Sequence, residues 1–410
     1  MSASTLDQIA SSRTDSARHG RGFWFVTFAF LVGMAFSTVP TPLYPLYMQA
    51  DGFSTFMVTV VFAVYAVGVV ISLLLAGHVS DWVGRKRILV PALGLELIAA
   101  LIFLTSTALP ALIVARIITG LGVGMLTATA TAHLHELHSA HRPHASPQRF
   151  QIVSTAANIG GLGAGTLVAG ILAQWLPVPL RTQYLVFAAL LLVSIVGIAL
   201  TPETVSVQLQ RRYRPQRVSI DHGDRAGYLA AAAAAIAAFS VFGLFTSVAP
   251  GFVAGDLHRP SRALAGVIVF AVFGAAAIAQ TGTGRLRETA RRPLGLLLQL
   301  VGLAALVTGM LLASLAFFLI GGVLSGAGAG VLFKDAVGKV IAMSTPERRG
   351  EALAGLFLIG YLGLIVPALG IGLAAVEFPA STVMIGFSVL LVVLLAAIAL
   401  SDARRRTAAA

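Results

Sequence analysis

The chain has 410 residues, of which 57% are hydrophobic and only 11% charged, with a formal charge of +12 and no cysteine. A soluble domain carries about 25% charged residues, so a water-soluble globule is excluded by composition, and disulfides and thiolate metal sites by the missing cysteines. The cations would suggest nucleic acid in a soluble chain. Apolar runs of about 20 residues make this a polytopic membrane protein instead, whose spans must be helices because lipid offers no partner to an unpaired backbone group.

Residues 1–22 are polar, Ser-rich and mixed in charge, and are expected to form a cytoplasmic tail. The apolar run that follows is too long for a signal-peptide core and lacks a cleavage site, so it is read as a retained first span. Spans are predicted at 23–48, 56–76, 88–109, 111–132, 150–173 and 184–201. Six more follow at 227–249, 264–284, 294–312, 315–341, 352–376 and 380–400. In span one, "PTPLYPLY" (Pro40 to Tyr47) breaks the helix near its outer end and sets Tyr44 and Tyr47 one turn apart. Between spans two and three, "GHVSDWVGRKR" places Gly77, Asp81 and Gly84 ahead of the cations Arg85, Lys86 and Arg87.

Glu96 is the only acid inside span three. An acid at that depth is neutralised or paired, which makes it a proton carrier or a structural hydrogen-bonding group. Arg116 in span four either snorkels to the outer surface or stays inside as a fixed cation. The run "HLHELHSAHRPH" places His133, His135, His138, His141 and His144 in the loop between spans four and five. Histidine clusters bind metals, but Ser139 stands where a zinc-protease motif needs its second histidine, and Pro143 interrupts any helix. A solvated loop is expected, with pH sensing or metal contact as the alternative, and no metal site is assigned. In span ten, Asp335 and Lys339 are four apart with the acid first, a good surface ion pair. If span ten runs deeper, Asp335 becomes a second candidate for proton coupling.

The alternate loops that share a side with the N-terminus hold Arg85, Lys86, Arg87, Arg142, Arg149, Arg211, Arg212, Arg214, Arg217, Arg225, Arg285, Arg287, Arg291, Arg292, Arg348 and Arg349. The ends add Arg13, Arg18, Arg21 and Arg404 to Arg406, while the opposite loops hold only Arg181, Arg259 and Arg262. By the positive-inside rule both termini are cytoplasmic and the number of spans is even. The polar stretch 202–226 then separates an N-terminal half, 23–201, from a C-terminal half, 227–400, with a tail at 401–410. "RIITGLGVG" (Arg116 to Gly124) recurs as "GVLSGAGAG" (Gly322 to Gly330), each in the fourth span of its half. Spaced glycines alone mean close helix packing. In matching positions they indicate two like-oriented halves with a site between them at mid-membrane.

Gly77-x-x-x-Asp81-x-x-Gly84-Arg85-Lys86-Arg87 resembles the loop signature of the major facilitator superfamily. Arg116-x-x-x-Gly120-x-Gly122-x-Gly124 is similar to that family's fourth-span motif, and the twelve-span plan extends the resemblance over nearly the whole chain. The resemblance implies an all-α integral membrane fold of two six-helix halves related by a pseudo-two-fold repeat, working by alternating access. It implies that Asp81 accepts from the N-terminus of span eleven, where the helix dipole favours an anion, and so latches the halves on the cytoplasmic side. Gly77 would let two helices press together and Gly84 would permit the tight turn. Arg85 pairs with Asp81, or with Glu136 beyond span four. Arg116 would face the cavity, and the substrate path would involve spans one, four, seven and ten. Tyr44, Tyr47, Thr127, Thr129, Asn158, Phe242, Phe245, Gln280 and Tyr361 could line it, although each alone reads equally as helix packing.

Two departures bear on direction. "GGLGAGTLVAG" in span five lacks the proline of the exporters' motif, and Pro202-Glu203-Thr204 resembles the start of the sugar-porter signature. The leading expectation is an inner-membrane secondary transporter for proton-linked efflux of drugs or small metabolites. The alternative is proton-linked uptake of a sugar or organic acid, and a receptor without flux is the remote one. No P-loop is present, and no nucleophile–base pair or metal set suggests an enzyme. A proton gradient is the expected energy source, with no cofactor. The expected partners are a small-molecule substrate and the bilayer, without nucleic acid, the chain acting as a monomer. Arginine over lysine and abundant alanine suggest a bacterial source.

Overall fold

The computed structural model describes the backbone of residues 3–206, 213–218, 224–345 and 348–409, and within these the side chains of 16–404. Arg211 and Arg212, and the side chains of Arg13, Arg405 and Arg406, counted above among the cytoplasmic cations, lie outside the described residues. Among the described residues, twelve helices are long and apolar enough to cross a membrane. The first six are Ser16–Asp51, Thr55–Ala76, Lys86–Thr105, Leu109–His141, Gln148–Trp175 and Thr182–Leu200. The second six are Arg225–Ser247, Arg262–Arg285, Glu288–Leu311, Leu315–Met343, Arg349–Glu377 and Ala380–Arg404. They are called spans one to twelve below.

The helix ends follow local chemistry. Ser54 and Ser261 cap spans two and eight by accepting from the amides of Met57 and Leu264. Asp224 Oδ1 does the same for Gly227 at 2.8 Å ahead of span seven. Gly52 closes span one with a left-handed φ of 70°. The expected break in span one is a 3-10 turn at Thr41–Leu43 between Pro40 and Tyr44. Span five carries a π turn at Ala156–Gly160, which contains Asn158.

Several boundaries move outward. The tail read as 1–22 is helical from Ala3 onward, and the helix of span twelve continues to Ala409. Polar and charged side chains end a hydropathy run without breaking a helix, since their backbones still pair internally. For the same reason the expected loop for His133, His135, His138 and His141 is corrected. Span four continues as helix through His141, and only His144 is in a connection. The helix stops at Arg142 (φ −138°, ψ 72°), the residue before Pro143, which cannot remain helical.

The core is two apolar clusters, one of the N-terminal half joined by Leu364 and Ala368 of span eleven, the other of the C-terminal half. The halves meet through span two against span eleven and span five against span eight. At the face opposite the termini these seams are tight. The Gly170 side chain position is occupied by the Arg262 carbonyl and that of Gly266 by the Thr166 carbonyl, so the backbones nearly touch. Arg262 donates to the carbonyl of Ala173 at 2.8 Å. Gly372 of span eleven packs on Thr59 of span two, and the short helix Ala249–Gly255 lies against Tyr44–Asp51.

Candidate functional site

Three polar groups stand out in an apolar bundle. The first is at the face that carries the termini. Gly84 adopts φ 113°, a conformation closed to side chains, and its turn presents Arg85 to three acids. Arg85 Nη1 bonds Asp81 at 2.6 Å and Ser80 at 2.7 Å, while Nη2 and Nε grip Glu136 at 2.6 and 3.1 Å. Both alternatives for Arg85 are therefore realised at once. Glu203 accepts from the backbone N–H groups of Arg85 and Lys86 at 2.9 and 3.0 Å, and Thr204 donates to Glu136 at 2.5 Å. Burial alone would raise the Glu203 pKa, but the amides of Arg85, Lys86, Thr204 and Val205 hold it below the ordinary carboxylate value. Lys86 Nζ donates to the Ala199 carbonyl at 2.6 Å, and Arg87 is exposed.

Asp81 is half exposed and bonds Arg85. Among the described residues it makes no bond to span eleven. The nearest atom to a Cβ at Gly77 would be the Leu73 carbonyl oxygen of its own helix, at 2.8 Å.

The second group lies inside the N-terminal half. Arg116 is buried, donates from Nη1 to the Ser37 carbonyl of span one at 2.6 Å, and lies 4.3 Å above the Tyr65 ring. The snorkelling alternative is set aside by this inward bond. Glu96 is fully buried, with no partner for either carboxyl oxygen among the described residues. Its carboxyl fills the space left by Gly33 of span one and Gly122 of span four.

The fourth-span glycines explain the packing. Cβ atoms at Gly120 and Gly124 would lie 2.1 Å from the Tyr65 carbonyl and 2.8 Å from that of Val69, both on span two. Gly122 faces the Ala92 carbonyl and Glu96 on span three. The C-terminal half repeats the pattern. Gly326 and Gly330 abut the carbonyls of Val272 and Ala276 on span eight, and Gly328 abuts Gln299 on span nine.

This register pairs Glu96 with Gln299, each beside the middle glycine of its half. Gln299 is fully buried and donates to the Ala237 carbonyl of span seven at 2.8 Å. It pairs Arg116 with Gly322, whose side-chain space is taken by the Phe245 ring at 2.9 Å. Gln299 carried no signal in the sequence except its position in the repeat.

The third group is in the second half. Asp335 is buried, so the surface-pair expectation is corrected. Lys339 does bond it at 3.1 Å, but Arg292 holds the same oxygen at 2.7 Å and also binds Asp402 at 2.8 Å. Through Arg292 this cluster ties spans nine, ten and twelve together. Arg292 beside Arg291 and Asp402 ahead of Arg404 carry no sign of this pairing in the sequence, where the cations alone set topology.

The remaining candidates divide. Tyr47 is spent on a 2.9 Å bond to Tyr184, and Phe245 is buried against Phe318. Among the described residues, the buried hydroxyls of Thr129 and Tyr44 have no hydrogen-bond partner. Thr127 bonds the Val123 carbonyl and touches Met34 sulfur at 3.5 Å. Asn158 and Tyr361 are partly exposed, Phe242 stacks on Phe273 at 4.8 Å, and the Gln280 carbonyl accepts from Lys334. In the histidine run, His133 bonds the Pro202 carbonyl, His138 that of Ser146 and His141 that of Ser16. Three turns of helix thus tie neighbouring segments together. Among the described residues no group of three potential ligands could hold a metal.

Residues 25–222 match the family model of the Major Facilitator Superfamily. A 191-residue stretch, 45% of this chain, is 28% identical to an uncharacterized MFS-type transporter of Mycobacterium tuberculosis. It spans about a third (33%) of that relative's length. The whole fold is similar to the crystal structure of the human organic anion transporter MFSD10 (TETRAN), with TM-score 0.61, 17% identity, and coverage of 92% of this chain and 99% of that one. It is also similar to the nucleoside transporter NupG, with TM-score 0.69, 14% identity, and coverage of 93% and 99%.

Proposed function

The chain belongs to the major facilitator superfamily, and from that premise we propose that it exports a small organic molecule from the cytoplasm in exchange for protons, coupled at Glu96. The pairing of Glu96 with Gln299 carries the reading. An amide at that position donates to the facing span in the second half, and only a protonated acid can do the same in the first. An ionised Glu96 has no donor bonded to it among the described residues, which is costly out of water. Proton loss and gain therefore alter how span three holds span one at Gly33. Arg116 grips the same span at Ser37 and remains a fixed cation throughout.

The tight glycine seams on the face opposite the termini, with Asp81 unattached to span eleven, support an inward-facing state. Closing the cytoplasmic face would bring the N-terminus of span eleven onto Asp81, releasing the Thr59–Gly372 and Thr166–Gly266 seams. The two arginine-centred clusters keep each half rigid while it rocks. Among the described residues, Arg116 is the cation buried at mid-span in the first half, which fits a neutral or weakly anionic amphipathic cargo in an inner membrane with both termini inside.

Glu203 favours a second reading, uptake of a sugar or organic acid. The residue that resembles the sugar-porter signature is docked on the loop motif. Proteoliposomes with an internal pH dye, an imposed pH gradient and a panel of organic compounds separate the two. Export requires cargo and protons to move in opposite directions. Movement in the same direction overturns export in favour of uptake, and flux indifferent to the gradient overturns coupling.

A further inference from the structure

At the face carrying the termini, the start of span one, the end of span four and the start of span five enclose a pocket of about 290 Å³. Its lining includes Arg21, Arg142 and Arg149 with His138, His141 and Trp24, and among the described residues no carboxylate. None of the three arginines pairs with an acid among the described residues. This sets them apart from Arg85 and Arg292, whose charges are matched. The floor is built: the Ser16 carbonyl can only accept, so His141 donates to it through Nδ1 at 2.8 Å, and the ring packs on Gly20. Arg149 lies 5.9 Å over the Trp24 ring, which leaves its charge available.

An apolar track leads from this cationic mouth along the exposed outer face of span one toward its middle. Trp24, Phe28 and Leu31 are exposed at helical spacing along one face of span one. Ile152, one turn beyond Arg149, is exposed on span five. A soluble anion has no use for the track, and a neutral lipid has none for three unmatched arginines. Basic pockets between spans on the cytoplasmic side are suited to anionic headgroups. We propose that the pocket binds the phosphodiester headgroup of an anionic phospholipid, with an acyl chain along Trp24, Phe28 and Leu31. The Trp24 ring then lies at the level of the headgroups, where indoles partition. The site joins the first helix of the N-terminal half to the helix that forms the seam with span eight, so the bound lipid would brace the lipid-facing side of that half. The inference rests on the membrane reading and the orientation, and is independent of cargo and coupling.

Native mass spectrometry of the full chain, titrated with phosphatidylglycerol, cardiolipin or phosphatidylcholine, tests it. The wild type should retain the anionic lipids about tenfold more tightly than phosphatidylcholine. The combined variant Arg21→Gln, Arg142→Gln and Arg149→Gln should lose that preference. Neutralising as many cations elsewhere on the same face, by Arg285→Gln, Arg287→Gln and Arg348→Gln, should leave it unchanged. If the triple pocket variant fails to fold, Arg149→Gln alone should lower the preference severalfold. Equal retention by the pocket variants and the wild type, or an equal loss in the control, overturns the site. Displacement of the lipid by millimolar inorganic phosphate would overturn a phospholipid in favour of a free phosphate.

Discussion

Glu96 and Gln299 hold corresponding places in the two halves, and the difference between them is one ionisable oxygen. Glu96→Gln makes the first half resemble the second. It should preserve exchange of cargo down its own gradient while abolishing the response to an imposed pH gradient, read in the same proteoliposomes. Loss of both activities would show instead a structural role. Glu203 permits a pH prediction. Its carboxyl is held below the ordinary carboxylate value by backbone donors, so its stabilisation is fully present above that value of about 4.3 and is lost as pH falls toward the lower, folded value. The gap in apparent melting temperature between wild type and Glu203→Gln should be constant near neutral pH. It should shrink and vanish on acidification below the carboxylate range. A gap that grew on acidification would contradict the docking of Glu203 on Arg85 and Lys86.

Among the helices, glycine position decides which pairs pack. Gly120→Ala would put a methyl 2.1 Å from the Tyr65 carbonyl, so spans two and four must separate. The expected loss is about 1–3 kcal/mol. Gly94 has open space around it, so Gly94→Ala should be neutral or stabilising by up to about 1 kcal/mol. Thermal unfolding of the two variants side by side checks the contrast. The positions of the spans were legible because a bilayer demands about 20 apolar residues for each crossing. Where helices end outside the lipid was less legible, as His133 to His141 illustrate. Those residues are helical because the backbone pairs internally whatever the side chains, and each ring that points inward found a carbonyl. Glu136 was readable as an arginine partner, although 51 residues from Arg85, since the span count puts the end of span four on the same face as the loop motif. The Arg292–Asp335 pair, 43 residues apart, was not, since Lys339 one turn along the same helix offered Asp335 a local partner and Arg292 read as a topogenic cation.

In the whole molecule the two halves touch through glycine-rich seams on one face. Because the chain has no cysteine, a designed pair can be read without background. Thr59→Cys with Gly372→Cys places two thiols close enough to bridge after a shift of under about 1 Å. Oxidation should lock the face opposite the termini and stop flux, and reduction should restore it. Undiminished flux in the cross-linked chain would mean that this seam does not open during transport. Asp81→Asn should slow flux while leaving membrane insertion and the Arg85–Glu136 pair intact, because it weakens the anion that span eleven needs when the opposite state forms. Normal flux in that variant would remove the latch.

Local rules were enough for the number of spans, the division into two halves, the repeat and the family, because lipid thickness, the distribution of cations and the glycine spacing are all written in consecutive residues. Which charges are matched was decided only by the tertiary structure. Arg85 serves three acids from three segments, Arg292 joins span nine to spans ten and twelve, and Glu96 is left without a partner among the described residues. The energy of a buried charge depends on what other helices bring within a few ångströms of it, and a linear pattern does not contain that distance.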